Sequence, residues 1–357
     1  MDGRGYSRPF STVDVDEECS LSLPASALRT PRSDFSLLPS PVSSPCGPSI
    51  SVVLCSMKPS PKNFPMDTAH SGTGFYTVRR IIELVQQGRI VVKKSLGQNF
   101  LVDRNVRDKL LSFPDLREDD TVIEIGAGLG ALTEGLLDRA GKVCAFETDA
   151  ALCDVLRERF GDRENLDLIE GDFLQTEQAW WNALPGKVKV VSNTPYSLSI
   201  PIVYHLHAVR ERIACAFLTV QKEVGERMTA TPGSKAYGPI SVLLSLYTQA
   251  RIWYFLGRDV FFPKPDVNSV VVGITPRGNS IVHPGDEENF QRFLPHIFSY
   301  RRKKLTNVIA TAFDIEKAIV EKHLARERLP ENTRIEELSP EDIYRVFHRV
   351  EEMKALQ

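Results

Sequence analysis

A β-branched run, Val122-Ile123-Glu124-Ile125, passes directly into three glycines at alternate positions, Gly126, Gly128 and Gly130, and then into an amphipathic stretch from Ala131. A strand that turns on glycine and re-enters as a helix is the opening unit of a parallel α/β sheet. Glycine at the turn lets the backbone approach a ligand closely. The spacing is Gly-x-Gly-x-Gly, whereas the dinucleotide fingerprint is Gly-x-Gly-x-x-Gly, and no Lys-Ser/Thr follows, which excludes a P-loop. Apolar runs near 121–125, 143–146, 166–170, 187–192 and 214–220 alternate with helical stretches and predict a doubly wound parallel sheet. Strands near 251–256 and 268–274 are expected to finish it as an antiparallel hairpin at its edge.

Ligands of open α/β sheets bind at the carboxyl ends of the strands, so the residues at those ends carry the functional reading. The second strand ends at Glu147, an acid placed to take both ribose hydroxyls of a nucleoside. The third is followed by Asp172 and Phe173, an acceptor for an adenine amino group with an aromatic ring beside it. The fourth ends in Asn193-Thr194-Pro195-Tyr196. There an amide oxygen and a backbone carbonyl can accept the two hydrogens of an aromatic amine, Pro195 fixes the backbone, and Tyr196 offers a flat face to a base. Asn-x-Pro-Tyr alone is also an ordinary strand-to-turn exit. Glycine turn, acid, acid and Asn-x-Pro-Tyr at four successive strand ends together read as an S-adenosylmethionine site, with Gly126 and Gly128 at its floor. The expected chemistry is methylation of a nucleobase amine.

Residues 93–101, Lys-Lys-Ser-Leu-Gly-Gln-Asn-Phe-Leu, resemble the opening signature of the ribosomal RNA small-subunit adenine N6,N6-dimethyltransferases. The likeness continues through Gln221-Lys222-Glu223-Val224 with Arg227, Ser234-Lys235-Ala236-Tyr237-Gly238, Phe262-Pro263-Lys264-Pro265-Asp266-Val267-Asn268-Ser269 and Phe298-Ser299-Tyr300-Arg301-Arg302-Lys303-Lys304. It spans about residues 77–350. The resemblance implies a Rossmann-like class I methyltransferase sheet with a small C-terminal all-helical domain. It also implies dimethylation of two adjacent adenines near the 3′ end of small-subunit rRNA during ribosome biogenesis. Carried over with it, the cofactor contacts are Asn99, Leu101, Gly126, Glu147, Asp172 and Asn193. Four of these are chosen independently by the strand-end reading; Asn99 and Leu101 rest on the resemblance alone. Asn193, Thr194, Pro195 and Tyr196 are the expected catalytic residues, with Phe262 stacking on the face of the adenine opposite Tyr196. Three departures from the family pattern stand out: Ala127 for a proline, Thr194 for a leucine beside the amine pocket, and Asp266 for a lysine next to the Phe262 loop.

The net charge of −2 is not that of a typical nucleic-acid binder, but phosphate contacts are made by one face. Arg301, Arg302, Lys303 and Lys304 form the densest basic run and are the expected rRNA contacts. The six cysteines include no Cys-x-x-Cys pair, and Cys144 and Cys215 fall in expected buried strands, which favours a reducing, cytoplasmic setting. Seven histidines lack metal-ligand spacing, and no metal site is expected. No apolar run approaches the roughly 20 residues needed to span a bilayer.

Residues 1–65 are rich in Ser and Pro and are expected to be disordered, with the extension reaching to about 75. Their acidic run Asp14, Asp16, Glu17 and Glu18 suits an organelle transit peptide poorly. Met57 and Met66 are alternative starts, so a mis-assigned start stays open. A methyltransferase domain is expected over 76–276 and a helical rRNA-binding domain over 277–357, in a monomer that meets the pre-ribosomal small subunit. The first helix should bury Val78, Ile81, Ile82 and Val85 on one face. Two other readings remain open: a resistance-type methyltransferase of a large-subunit rRNA adenine, and a non-catalytic ribosome-assembly factor with a relict cofactor site.

Overall fold

Apolar runs that alternate with amphipathic ones fold, in the computed structural model, into nine strands and twelve α-helices among the described residues, 76–93, 97–327, 329–330 and 332–356. The expected extension over 1–75 lies outside the described residues, as do Lys94, Ser95 and Leu96 of the signature. The strands are β1 (Phe100–Leu101), β2 (Thr121–Ile125), β3 (Lys142–Glu147), β4 (Leu166–Glu170), β5 (Val188–Asn193), β6 (Ile213–Gln221), β7 (Thr248–Leu256), β8 (Phe261–Phe262) and β9 (Ser269–Pro276). The first eight helices are α1 (Val78–Gln86), α2 (Arg104–Leu111), α3 (Ala131–Leu137), α4 (Ala150–Phe160), α5 (Gln178–Ala183), α6 (Ser199–Ala208), α7 (Lys222–Met228) and α8 (Pro239–Tyr247). The tail adds α9 (Glu287–Phe298), α10 (Leu305–Phe313), α11 (Lys317–Leu324) and α12 (Pro340–Lys354).

Seven strands form one sheet in the order β4-β3-β2-β5-β6-β9-β7. Neighbours from β4 to β6 pair in parallel, and β9 runs antiparallel to both β6 and β7. All five residues of β2 are buried, as expected of a central strand covered on both faces. With β3 on one side and β5 on the other, β2 sits where the strand order reverses, the place where such sheets bind ligands. The expected edge hairpin is present, with β9 as its inner strand and β7 outermost; a bulge between Ile252 and Tyr254 breaks the outer strand's regularity. A second, two-stranded sheet was not expected from the sequence: Phe100 of β1 pairs with Phe262 of β8, and Leu101 with Phe261.

Local signals set the helix ends. Asp103 accepts the Val106 amide at 3.0 Å to cap α2, and Ser339 accepts that of Asp342 at 3.0 Å to open α12, where Pro340 occupies the first turn. The first helix departs from its expected face. Ile81 and Leu84 are fully buried, whereas Val78 and Ile82 are 39% and 41% exposed. Ile81 and Leu84 pack with Leu129, Leu152 and Val155, and Val85 is half-buried against the same cluster, so the packed face keeps the expected Ile81 and Val85 but turns away from Val78 and Ile82.

The tail helices are not set apart from the sheet by any break in the core. Phe290, Leu294 and Phe347 join the same buried cluster as Leu243, Tyr247 and Val272. Arg301 sits at this junction and corrects one expectation. Its Nε donates to Glu336 at 2.7 Å, Nη1 to the carbonyls of Lys235 and Tyr237 at 2.8 and 3.2 Å, and Nη2 to that of Ser234 at 3.4 Å. These bonds take four of the guanidinium's five hydrogens and fasten the tail to the 234–237 loop, so Arg301 serves first as a structural fastener, with one Nη2 hydrogen left for a further acceptor such as phosphate. Arg302, Lys303 and Lys304 are exposed. Replacing Arg301 with Ala should lower unfolding stability by about 1–3 kcal/mol, with Arg302→Ala within about 0.5 kcal/mol of wild type; urea denaturation of both variants checks this.

Candidate active site at the strand ends

Four segments meet at the carboxyl ends of β2 to β5, and they meet by direct contact. Gly126, at φ +75°, lies so close to Pro195 that an added Cβ would sit 3.3 Å from the proline ring. Gly97 of the signature, at φ +70°, backs onto Tyr196, where an added Cβ would sit 3.2 Å from the amide nitrogen. Only glycine permits both the left-handed backbone and the approach. Between them, Asn193 Nδ2 donates to the Asn99 carbonyl at 2.9 Å across 94 residues of sequence. A carbonyl can only accept, so this bond fixes the amide's orientation and leaves Asn193 Oδ1 as an acceptor. The Asn99 side chain in turn donates to Gly97 O at 3.0 Å.

A single cavity is bounded by Asn99, Leu101, Gly126, Gly128, Glu147 and Asp172, together with Phe173 and the whole Asn193–Tyr196 turn. Every expected cofactor residue is therefore brought to one place, as are four of the five expected catalytic ones. Phe262 is the exception. It is half-buried, laid beside Phe100 by the β1–β8 pairing, and does not border the cavity. Its ring packs against the cluster that holds Phe100, Leu129 and Leu152, which do border the cavity.

Each acid has a defined environment. Glu147 Oε1 accepts the amides of Thr148 and Asp149 at 2.9 and 3.0 Å, and Oε2 accepts that of Gly128 at 2.8 Å. This differs from the expectation of a carboxylate open to two hydroxyls. Oε1 is saturated, and Oε2 keeps one lone pair, because the side chain also ties β3 to the glycine turn. Asp172 caps the turn at Phe173 by accepting Leu174 N at 2.9 Å through Oδ1, which leaves Oδ2 for a donor. Phe173 is buried, edge-on to Phe146 at 5.2 Å and to His205 at 5.1 Å. Leu101 is likewise buried, contributing an apolar wall.

Two hydroxyls sit differently from a reading of the linear sequence. The Thr194 hydroxyl is turned into the core, donating to Ser192 Oγ at 3.0 Å, which itself donates to the Ile125 carbonyl at 2.7 Å. The polar group brought in by Thr194 is thus satisfied within the strand end. Tyr196 shares a 2.6 Å hydrogen bond with Ser269 Oγ, which pins the ring, and burial raises its pKa above the ordinary phenol value.

Glu124 was missed by the strand-end reading, although a charge inside an apolar central strand is itself a signal. It borders the cavity at 1% exposure, receives the Thr133 hydroxyl at 2.6 Å, and is pushed up to about 8, first by burial and then by Glu147. Burial thus favours its protonated, neutral form. Burial also drives the thiols of Cys144 and Cys215 up to about 11, so both behave as inert apolar groups.

The arrangement offers a backbone turn open to close approach, acceptors at two strand ends, and an amide oxygen oriented by its own nitrogen. The family model for ribosomal RNA adenine dimethylase matches residues 90–352. The chain belongs to this family. A protein of Moorella thermoacetica named ribosomal RNA small subunit methyltransferase A is 39% identical over 275 residues, covering 74% of this chain and 95% of its own length. A protein of the same name from Lactococcus lactis is 37% identical, covering 70% and 87%. Among solved structures, a dimethyladenosine transferase from Plasmodium falciparum superposes with a TM-score of 0.59 at 26% identity, covering 70% of this chain and 95% of that one. The 23S rRNA methyltransferase ErmE superposes with a TM-score of 0.55 at 24% identity, covering 71% and 100%, and shares the fold. The protein is accordingly an S-adenosylmethionine-dependent rRNA adenine dimethyltransferase with a class I methyltransferase sheet. The cavity fits that cofactor: glycine backbone is bare where a side chain would fill it, and Glu147 Oε2 and Asp172 Oδ2 retain capacity for donors. Among the described residues no helix is long and apolar enough to cross a membrane.

The Glu124 carboxyl, protonated in the fold up to about 8 but ionised above about 4.5 when unfolded, stabilises the fold fully below 4.5 and loses that contribution as pH rises to about 8. In Glu124→Gln this loss should vanish. Melting curves of the two proteins at pH 6 and pH 9 should show the variant gaining on wild type as pH rises, by about 1.4 kcal/mol per unit until the carboxyl ionises.

Proposed function

We propose that this chain dimethylates the N6 amines of two adjacent adenines near the 3′ end of small-subunit rRNA, acting as a cytoplasmic monomer on the pre-ribosomal small subunit. The names of the curated relatives and the length over which they align support the substrate. The observation that carries the mechanism is the Asn193 amide held by Asn99 O, since it commits the side-chain oxygen to accepting.

The adenine amine is a poor nucleophile because its lone pair is delocalised into the ring. Asn193 Oδ1 and the Thr194 carbonyl each take one amine hydrogen, which favours a pyramidal nitrogen and disperses the positive charge that grows on it. The cofactor supplies an electrophilic methyl group on a sulfonium. Gly126 and Gly128 admit it, Glu147 and Asp172 receive its hydroxyl and amino donors, and Asn99 and Leu101 close the near wall. A strong base is unnecessary, because the amine proton becomes acidic only as the new bond forms. Tyr196, pinned by Ser269, gives the extruded base a fixed face, worth about 1–3 kcal/mol of stacking. Phe262 takes the opposite face only if the β8 segment shifts toward the cavity as RNA binds. Arg302, Lys303 and Lys304 meet phosphate, and Arg301 adds at most one contact through its remaining Nη2 hydrogen.

Transfer from labelled S-adenosylmethionine to unmethylated small subunits, with nucleosides identified by mass spectrometry, tests the substrate. Dimethyladenosine at adjacent positions is expected, and acceptance of large-subunit rRNA alone would overturn the reading. Asn193→Ala should reduce turnover at least 10²-fold, the scale for loss of an oriented transition-state partner, and by a larger factor than it weakens cofactor binding. Phe262→Ala should raise KM for RNA more than that for cofactor; equal effects would remove it from the base site.

A further inference from the structure

One wall of the cofactor cavity comes from outside the strand-end motifs. Tyr76, 4% exposed, borders the same cavity as Asn99, Gly126 and Leu132, yet it precedes α1 and lies upstream of the stretch matched by the family model. Its hydroxyl accepts a hydrogen bond from Arg107 Nη1. Arg107 is 6% exposed, and the same nitrogen donates to Glu134 Oε2 at 2.7 Å while Nε and Nη2 grip Asp108 Oδ1 at 2.9 and 2.6 Å. The other oxygen of Glu134 meets Arg159 Nη2 at 3.4 Å. Arg159 Nη1 then donates to the carbonyl of Leu129, inside the glycine turn, at 2.5 Å. Behind Tyr76, Ile81 and Leu84 of α1 pack in the same cluster as Leu129.

A buried guanidinium is tolerated only when its hydrogens are matched by carboxylates and other acceptors. Here the matching links two residues that border the cavity, Tyr76 and Leu129. Arg107 anchors the aromatic wall, and Glu134 passes the constraint to Arg159 and so to the turn that receives the cofactor. A phenol used only to satisfy Arg107 would need no cavity beside it.

We propose that Tyr76 is a cofactor-contacting residue, its ring bearing on S-adenosylmethionine, and that Arg107, Glu134 and Arg159 are positioning residues that hold this ring in register with the glycine turn. The inference rests on the cavity being the cofactor site. Equilibrium dialysis of the full-length protein with labelled S-adenosylmethionine tests both separately. Wild-type protein that fails to bind would refute the cavity assignment itself. With wild type binding, Tyr76→Ala should raise Kd about tenfold, leave KM for small-subunit rRNA unchanged, and recover most turnover at saturating cofactor. Tyr76→Phe, which keeps the ring and loses its anchor, should raise Kd two- to threefold, on the order of one hydrogen bond's net worth. A folded Tyr76→Ala with wild-type Kd would overturn the proposal. If that variant does not fold, Tyr76→Leu keeps the bulk and carries the same test, and unchanged affinity in it would be equally decisive.

Discussion

The hydrogen bond from Asn193 to the Asn99 carbonyl, 2.9 Å long, is the contact on which the site depends. It joins the end of β5 to a segment that precedes the sheet in sequence, and in doing so fixes which way the Asn193 amide is turned. Around it, the Gly126–Pro195 and Gly97–Tyr196 approaches are tight, and both glycines hold a left-handed backbone that strains other residues. Three pieces of backbone are thereby locked against one another. Catalysis of a displacement that needs no strong acid or base is chiefly a matter of such placement.

Much of this could be read from the sequence, and for a physical reason. A buried parallel strand must be apolar over its length, and its ligand-facing end must carry whatever polar residues the ligand needs. Glu147, Asp172 and Asn193 are therefore visible as acids and amides that terminate apolar runs. What the runs conceal is connectivity through space. The two-residue strands β1 and β8 are too short to show a period, and their pairing is a tertiary event between distant positions. Likewise, Glu124 lies inside a run already assigned to the core, and Tyr76 precedes any motif. Which residues α1 leaves exposed was also beyond its periodicity, since the packed face is the one that meets Leu129 and its neighbours.

Basic residues illustrate how context divides like from like. Arg301 and Arg302 are adjacent in sequence, yet one is spent on Glu336 and three carbonyls while the other is exposed. A planar fork with five donors suits a junction where several carbonyls converge, a task no lysine could take over. The tail is bound to the sheet both by this fork and by a shared apolar core, so a surface on the exposed residues that follow would be held at a fixed distance from the strand ends.

The pairing of Phe100 with Phe262 also sets an order of assembly. The signature strand emerges from the ribosome early but has no partner until 162 further residues have followed, 262 less 100. Strand β7 cannot dock as it emerges either, because β9, which follows it in sequence, stands between it and β6. A nascent chain that has already formed its parallel half still lacks a closed wall beside the glycine turn. Closure of that wall therefore waits on residue 262, well after every strand-end motif has been made, and a fragment ending before it would carry the motifs without the β1–β8 pair beside them.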